Sequence, residues 1–207
     1  EYCEELTQSG AEETMRANFF PTTPDILPEH LQGAPREMFI LRLLLASTLS
    51  SSYGMLNGYE LCENEAHPTK EEYWNSEKYD FKVRDWNQEG NIKNWVKMFN
   101  DLRRNNTALH EYDNLRFHDC DNDQIMVYSK VDINTNNILV FVVNWDIHNV
   151  QSGTVCLNLQ ELGIDSSHPY QVRDEFTQET YTWEGAKNFV ILNPEQGPGH
   201  AFVVSQT

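Results

Sequence analysis

Hydrophobic and polar positions follow two different patterns, which meet near Asn105. Before that point, short apolar runs alternate with helical periodicity. Asn18-Phe19-Phe20 predicts one short buried strand, and Pro21, Pro24 and Pro28 forbid its continuation as helix or central strand. From Pro35 to Leu49 the chain is apolar nearly all round, with Pro35 suited to a first helical turn, so a helix packed on both sides is expected. Residues 50–52 are serines that break it, and Tyr53 to Tyr59 predicts a second short strand, followed by Glu60 and Glu63. Strand, loop, helix, strand is the order of a parallel α/β unit. Residues 64–90 are polar and aromatic-rich without a period, and read as a long structured loop. Ile92, Trp95, Val96, Phe99 and Leu102 then recur at helical spacing and predict an amphipathic helix.

After Asn105 the period becomes two. Gln124–Val131 and Asn137–Trp145 read as a hairpin joined by the polar turn 132–136. Further strands are expected at Thr154–Leu159, Tyr170–Phe176, Thr180–Trp183, Asn188–Leu192 and His200–Ser205, a spacing that indicates an antiparallel sandwich. The expected fold class is α/β plus all-β, divided into residues 1–105 and 106–207. Residues 1 to about 9 are weakly helical, ended by Gly10, and resemble the end of a helix without its start. The chain is therefore expected to be a piece of something longer.

Composition narrows the function classes. With 207 residues and 39% hydrophobic content the chain can bury a core. Its formal charge of -17, from 32 acidic against 15 basic residues, repels phosphate backbones and anionic bilayers, so neither nucleic acid nor membrane is an expected partner. No apolar run approaches the ~20 residues of a membrane span, and no basic-plus-apolar leader opens the chain. Cys3, Cys62, Cys120 and Cys156 are far apart with no CxxC pair, and no His stands at metal-ligand spacing, so no metal site is expected. A reduced, cytoplasmic context fits. His30, His67, His110, His118, His148, His168 and His200 are read as structural.

Asp25 is the first candidate for chemistry. It follows a strand end on a loop stiffened by prolines, and ligands of α/β folds bind at the carboxyl ends of strands. The competing reading is an Asp that caps a short turn.

Specific strings then resemble a known family. Asn18-Phe19-Phe20 with Thr23-Pro24-Asp25-Ile26-Leu27-Pro28, Tyr53-Gly54-Met55 through Gly58-Tyr59-Glu60-Leu61-Cys62-Glu63, Ser76-Glu77-Lys78-Tyr79 and Val83-Arg84-Asp85-Trp86 are similar to the maltose-1-phosphate maltosyltransferases of the alpha-amylase superfamily. Tyr170-Gln171-Val172-Arg173-Asp174, Tyr181-Thr182-Trp183, Asn188-Phe189-Val190 and Pro194 resemble the β-sandwich that follows the barrel in that family. The resemblance implies the last two βα units of a (β/α)8 barrel followed by that sandwich, since a whole barrel needs ~250 residues. It implies a retaining double displacement whose nucleophile and acid/base lie upstream, so that this chain alone is inactive.

Asp25 matches the third family carboxylate, which holds ring hydroxyls at the reacting sugar. Pro24 stands where hydrolases of the superfamily carry His, which favours transfer, and Thr22 stands where the nearer family often has Asn. Lys78 matches a lysine that contacts the donor sugar, against a solvated surface charge as the other reading. Tyr79 stacks on a sugar or packs, and Glu60 lines the cleft. Glu63 lines it or holds a loop, and Arg84 with Asp85 is expected as a structural ion pair. The implied activity moves maltosyl units from alpha-maltose 1-phosphate to an alpha-1,4-glucan, releases phosphate and uses no cofactor. Open edges of partial sheets also allow a homodimer. Two other functions stay open: an amylase-type hydrolase, and a non-catalytic module whose Trp145 or Trp183 stacks on glucan.

Overall fold

The computed structural model describes residues 2–77 and 81–206. The chain divides into two compact units, one of residues 18–101 and one of residues 1–17 with 102–207.

In the first unit, strand β1 (Asn18–Phe19) pairs in parallel with β2 (Ser52–Tyr53), Asn18 opposite Ser52 and Phe19 opposite Tyr53. Helix α2 (Arg36–Thr48) connects them, the second helix of the chain after α1 (Tyr2–Gln8) of the other unit. As its pattern requires, α2 is buried on all sides, with Phe39, Leu43 and Leu44 fully enclosed. Burial of each such side chain contributes about 1.5–3 kcal/mol. Tyr59 is enclosed with it, its hydroxyl donating to the Phe39 carbonyl at 2.7 Å. The second strand is shorter than the apolar run 53–59 predicts. Gly58 takes φ +98, a left-handed conformation open to glycine, and turns the chain into a 3-10 turn at Tyr59–Leu61. Helix α3 (Lys93–Asn105) follows, and the division between the units falls within it.

The second unit is an eight-stranded sheet, antiparallel at every pairing. Its strands are β3 (Leu115–Cys120), β4 (Ile125–Asp132), β5 (Asn137–Asn144), β6 (Gln151–Cys156), β7 (Tyr170–Asp174), β8 (Thr180–Trp183), β9 (Lys187–Leu192) and β10 (Gly199–Ser205), with the short helix α4 (Leu159–Leu162) after β6. The order is β8-β7-β10-β5-β4-β3-β6-β9. The β4–β5 hairpin runs in continuous register from Ile125 opposite Asn144 to Asp132 opposite Asn137. Asn136 turns it with φ 54, while the Asp132 carboxylate accepts from the Asn134 N–H and the Thr135 hydroxyl.

Strand β3 is absent from the expected elements. Leu-Arg-Phe-His-Asp-Cys carries three charged or polar side chains, and it forms a strand because it bridges two partners. Residues 115–118 pair with β4, and Asp119 and Cys120 pair with β6. One apolar cluster gathers Val127, Val140 and Val142 with Val155, Val172, Val190 and Phe202, so both ends of the sheet order share a core and the sheet curls over it. β5 is buried on both faces, and Tyr128 stacks on Phe141 at 4.9 Å on the face toward the turn 107–109.

Candidate functional site

Asp25 stands exposed at the apex of a tight turn in the loop after β1. Thr23 and Ile26 exchange backbone hydrogen bonds of 3.1 and 3.2 Å, which leaves Pro24 and Asp25 as the central pair. Proline presets φ for the first of these positions. Both legs of the turn are pinned. Thr22 is 2% exposed and its hydroxyl accepts from the Tyr73 hydroxyl at 2.8 Å. Leu27 is buried, with its N–H donating to the Glu71 carbonyl at 2.9 Å. The Glu71 carboxylate takes the Glu29 N–H at 3.2 Å.

The segment that grips these legs is itself a narrow hairpin within the predicted loop 64–90. The Trp74 N–H donates to the Glu65 carbonyl at 2.8 Å, and the His67 N–H to the Glu72 carbonyl at 2.7 Å. The His67 and Trp74 rings meet at 5.4 Å.

After β2 lies a cleft of about 330 Å³ whose lining includes Glu63, Trp74, Lys82, Arg84, Asp85 and Gln88. At its wall the Arg84 side chain, 4% exposed, donates from Nε to Glu63 Oε1 at 2.7 Å and from Nη2 to Glu63 Oε2 at 3.3 Å. Its Nη1 donates to the Glu77 carboxylate. Lys82 Nζ lies 3.2 Å from Glu63 Oε2, and the Lys82 N–H donates to Glu77 Oε1 at 3.3 Å. The Arg84 hydrogen bond, followed by the Lys82 N–H, holds the Glu77 carboxyl below the usual carboxylate range. The Glu63 hydrogen bond in turn raises the Arg84 guanidinium above its ordinary value, against partial burial.

The expected Arg84–Asp85 ion pair is not formed: Arg84 uses Glu63 and Glu77, and Asp85 accepts the Asn87 N–H at 2.9 Å. Consecutive side chains outside a helix point apart, whereas the two glutamates approach from separate loops. Glu60 is half-buried, with its carboxylate accepting the Gly58 N–H at 3.0 Å and its carbonyl accepting the Ile92 N–H at 2.8 Å. It ties the loop after β2 to the start of α3, while Glu63 lines the cleft. Lys78 and Tyr79 lie outside the described residues. Among the described residues there is no group of three or more His, Cys, Asp or Glu that could hold a metal ion.

The sheet unit encloses some of its ionisable groups. Asp174, fully buried, accepts from the Phe176 and Ala201 N–H groups, from the Thr177 hydroxyl and from His200 Nδ1 at 2.9 Å. Burial pushes its carboxyl up, but the His200 hydrogen bond and charge and the other donors overcome this and leave it below the ordinary value. His200 Nε2 meets the Ile191 carbonyl at 3.1 Å. His118 contacts Ser129 Oγ at 2.7 Å and receives the Asn158 N–H at 3.3 Å on Nδ1. Burial lowers its pKa. Lys130 is fully enclosed, with Nζ donating to the Glu111 carbonyl at 2.7 Å. Of the two tryptophans considered for sugar stacking, Trp145 is 44% exposed. Trp183 is 6% exposed and packs 5.1 Å from Phe202 and 6.3 Å from Tyr170, so it is a core residue.

The Arg84 bracket and the Tyr73–Thr22 contact are missing from the sequence reading. Their partners are separated by 21, 7 and 51 residues within segments that show no period. Only Glu63, read as a group that lines the cleft or holds a loop, pointed toward them.

Residues 117–204 match the family model described as GLGE, C-terminal. The chain is 46% identical over 204 residues to the alpha-1,4-glucan:maltose-1-phosphate maltosyltransferase of Rhodospirillum rubrum, a match that covers 99% of this chain and 30% of that protein. It is 44% identical over 207 residues to the protein of the same name from Methylacidiphilum infernorum, covering 99% and 31%. The chain thus spans about 30% of the length of these curated relatives. Among solved structures, it is similar to the maltogenic alpha-amylase AmyB of Thermotoga neapolitana, with a TM-score of 0.65 at 13% identity over all of this chain and 45% of that one. It is also similar to the gamma-CGTase of Alkalophilic bacillus clarkii, with a TM-score of 0.66 at 13% identity over 98% and 28%. At that identity the likeness is one of fold.

Proposed function

The chain belongs to the alpha-1,4-glucan:maltose-1-phosphate maltosyltransferase family, and on that premise we propose that it is the part of such an enzyme that supplies a transition-state carboxylate and one wall of the sugar cleft. The longer protein moves maltosyl units from alpha-maltose 1-phosphate to an alpha-1,4-glucan. In the first step a carboxylate nucleophile outside this chain attacks the anomeric carbon, the bond to the phosphate oxygen breaks, and phosphate leaves. In the second, the acceptor hydroxyl displaces that carboxylate while a general base takes its proton. Neither step needs a metal or organic cofactor.

Asp25 accepts hydrogen bonds from two ring hydroxyls of the reacting sugar as it flattens toward the oxocarbenium-like state. The observation that carries this reading is the placement of Asp25. It projects from the apex of a turn whose legs are pinned at Thr22 and Leu27, on the loop that leaves a parallel strand. A fixed carboxylate needs no reorganisation when the sugar distorts, and that is where electrostatic preorganisation acts. Residues 1–105 are read as the last two βα units of a (β/α)8 barrel and 106–207 as the sandwich that follows it. The parallel β1–β2 pair across α2 and the all-antiparallel remainder support this. Lys78 and Tyr79 are assigned to the donor sugar and Glu60 to the cleft margin, and Pro24 before Asp25 favours transfer over hydrolysis.

The test is phosphate release from alpha-maltose 1-phosphate with a malto-oligosaccharide acceptor. It compares the full-length protein, its Asp25→Asn variant and the present chain alone. The full-length protein is expected to turn over, Asp25→Asn to lose roughly 10²–10³-fold in kcat, and the chain alone to release nothing. A full-length protein that is inert to maltose 1-phosphate yet cleaves plain glucan would replace transfer with hydrolysis.

A further inference from the structure

We propose that Arg84 is a positioning residue for the transfer reaction, locking the loop after β2 to Glu77 at the wall of the sugar cleft. The inference rests on the reading of that cleft given above and adds a residue which the family resemblance does not assign.

Two carboxylates from different loops, Glu63 and Glu77, converge on one guanidinium that is 4% exposed. Three of its nitrogens are engaged: Nε and Nη2 on Glu63, and Nη1 on Glu77. Arg84 therefore has little capacity left for a ligand, and its function is exerted through the loops it joins. The pair is also seated against backbone. A Cβ at Gly58 would lie 2.7 Å from Glu63 Oε2 and 2.8 Å from Arg84 Nε, so only a residue without a side chain leaves room for it. Gly58 opens the 3-10 turn that carries Glu60, so the bracket reaches the start of that turn. On its other side, Glu77 takes the Lys82 N–H through its second oxygen. In sequence, Lys78 and Tyr79 lie between these two residues.

Removal of the guanidinium leaves Glu63 and Glu77 facing each other with Lys82 as the nearby cation. Like charges at that range repel, and a lysine offers a point charge where Arg84 offers a planar fork. The arrangement thus predicts a graded series, with arginine best, lysine intermediate and glutamine worst. The face of Trp86, 5.9 Å from the guanidinium carbon, covers the bracket.

The experiment uses the full-length protein and compares wild type, Asp25→Asn, Arg84→Lys, Arg84→Gln and Arg84→Ala for phosphate release. Thermal unfolding and hydrogen exchange of residues 58–63 and 81–84 are measured on each variant. A displacement of about 1 Å in substrate-positioning groups costs on the order of 10²-fold. Arg84→Gln should therefore lose about that much in kcat/KM while it stays folded, with faster exchange in both segments. Arg84→Lys should recover part of the loss, and added guanidinium should partly restore Arg84→Ala. If wild type turns over and Asp25→Asn does not, yet Arg84→Gln stays within twofold of wild type, the inference is wrong and the reading of the cleft stands. Loss of activity only in proportion to the unfolded fraction also overturns it, as a merely structural effect. If wild type releases no phosphate, the functional reading fails first and the inference falls with it.

Discussion

The unit of residues 18–101 and the sheet unit solve the same problem, fixing polar groups in place, by opposite means. In the sheet unit position comes from the backbone ladder. β4, β5 and β10 pair over long registers, and side chains such as Asp174 and His200 are added inside a frame that already exists. In the other unit the ladder is two residues per strand, and the loops after it are held by scattered backbone hydrogen bonds and by side chains that bridge them: Tyr73 on Thr22, Arg84 on Glu63 and Glu77, Glu60 on Gly58. The lesson is a division of labour. Stability is concentrated where the ladder is, and the geometry needed for chemistry is concentrated where side chains bridge loops. Loops on a scaffold are where function is commonly found, and here the bridges explain how loops of this length hold one conformation.

That contrast can be broken by experiment, and the largest effect is expected in the sheet. Phe141→Ala removes a fully buried ring that stacks on Tyr128. It should cost about 3–5 kcal/mol in urea unfolding, and a cost under about 1 kcal/mol would show that the ladder is not where stability lies.

Lys130 gives the next effect, with the opposite sign. Burial, helped by the Arg103 charge and opposed by Glu111 and Asp113, pushes its ammonium down from 10.5 to about 7. Between those values the unfolded chain binds more protons than the folded one, so stability rises with pH across this window and is lowest below about 7. Lys130→Met should raise stability near neutral pH by about 1–4 kcal/mol, as hydrophobic replacements of buried charges often do, and should flatten the rise. Urea midpoints from pH 6 to pH 10 decide this. A wild-type midpoint that does not move with pH would mean that Lys130 is not charged at a cost in the fold.

The smallest stability effect belongs to the loop unit. Tyr73→Phe deletes one hydroxyl that donates to the buried Thr22. It should cost about 1 kcal/mol, yet in the full-length protein it should lower kcat for phosphate release several-fold, because it frees one leg of the Asp25 turn. Equal proportional losses in stability and in rate would erase the distinction between the units.

Particular residues show which parts were legible beforehand. Helix α2 could be read because an apolar surface on every side has no alternative but burial, and the β4–β5 hairpin because two alternating runs flank a polar turn. The turn bearing Asp25 was legible through its prolines, which restrict the backbone locally whatever surrounds them. β3 was not, since its polar composition is tolerated only because both its edges are paired, one by β4 and one by β6. The run 53–59 looked like strand because it is apolar, but its pairing with β1 stops at Tyr53, and the chain turns away at Gly58 with its positive φ.

The sequence by itself determined the properties that depend on near neighbours along the chain: the two patterns of periodicity, the proline-held turn, the acidic surface and the family strings. Tertiary structure alone decided which charges meet. Glu63, Glu77 and Arg84 lie 7 and 21 residues apart with no period to relate them, and an ion pair depends on distance in space. Trp183 likewise became a core residue because β8 turns it onto Tyr170 and Phe202, whereas Trp145 lies just past the end of β5 and stays partly exposed.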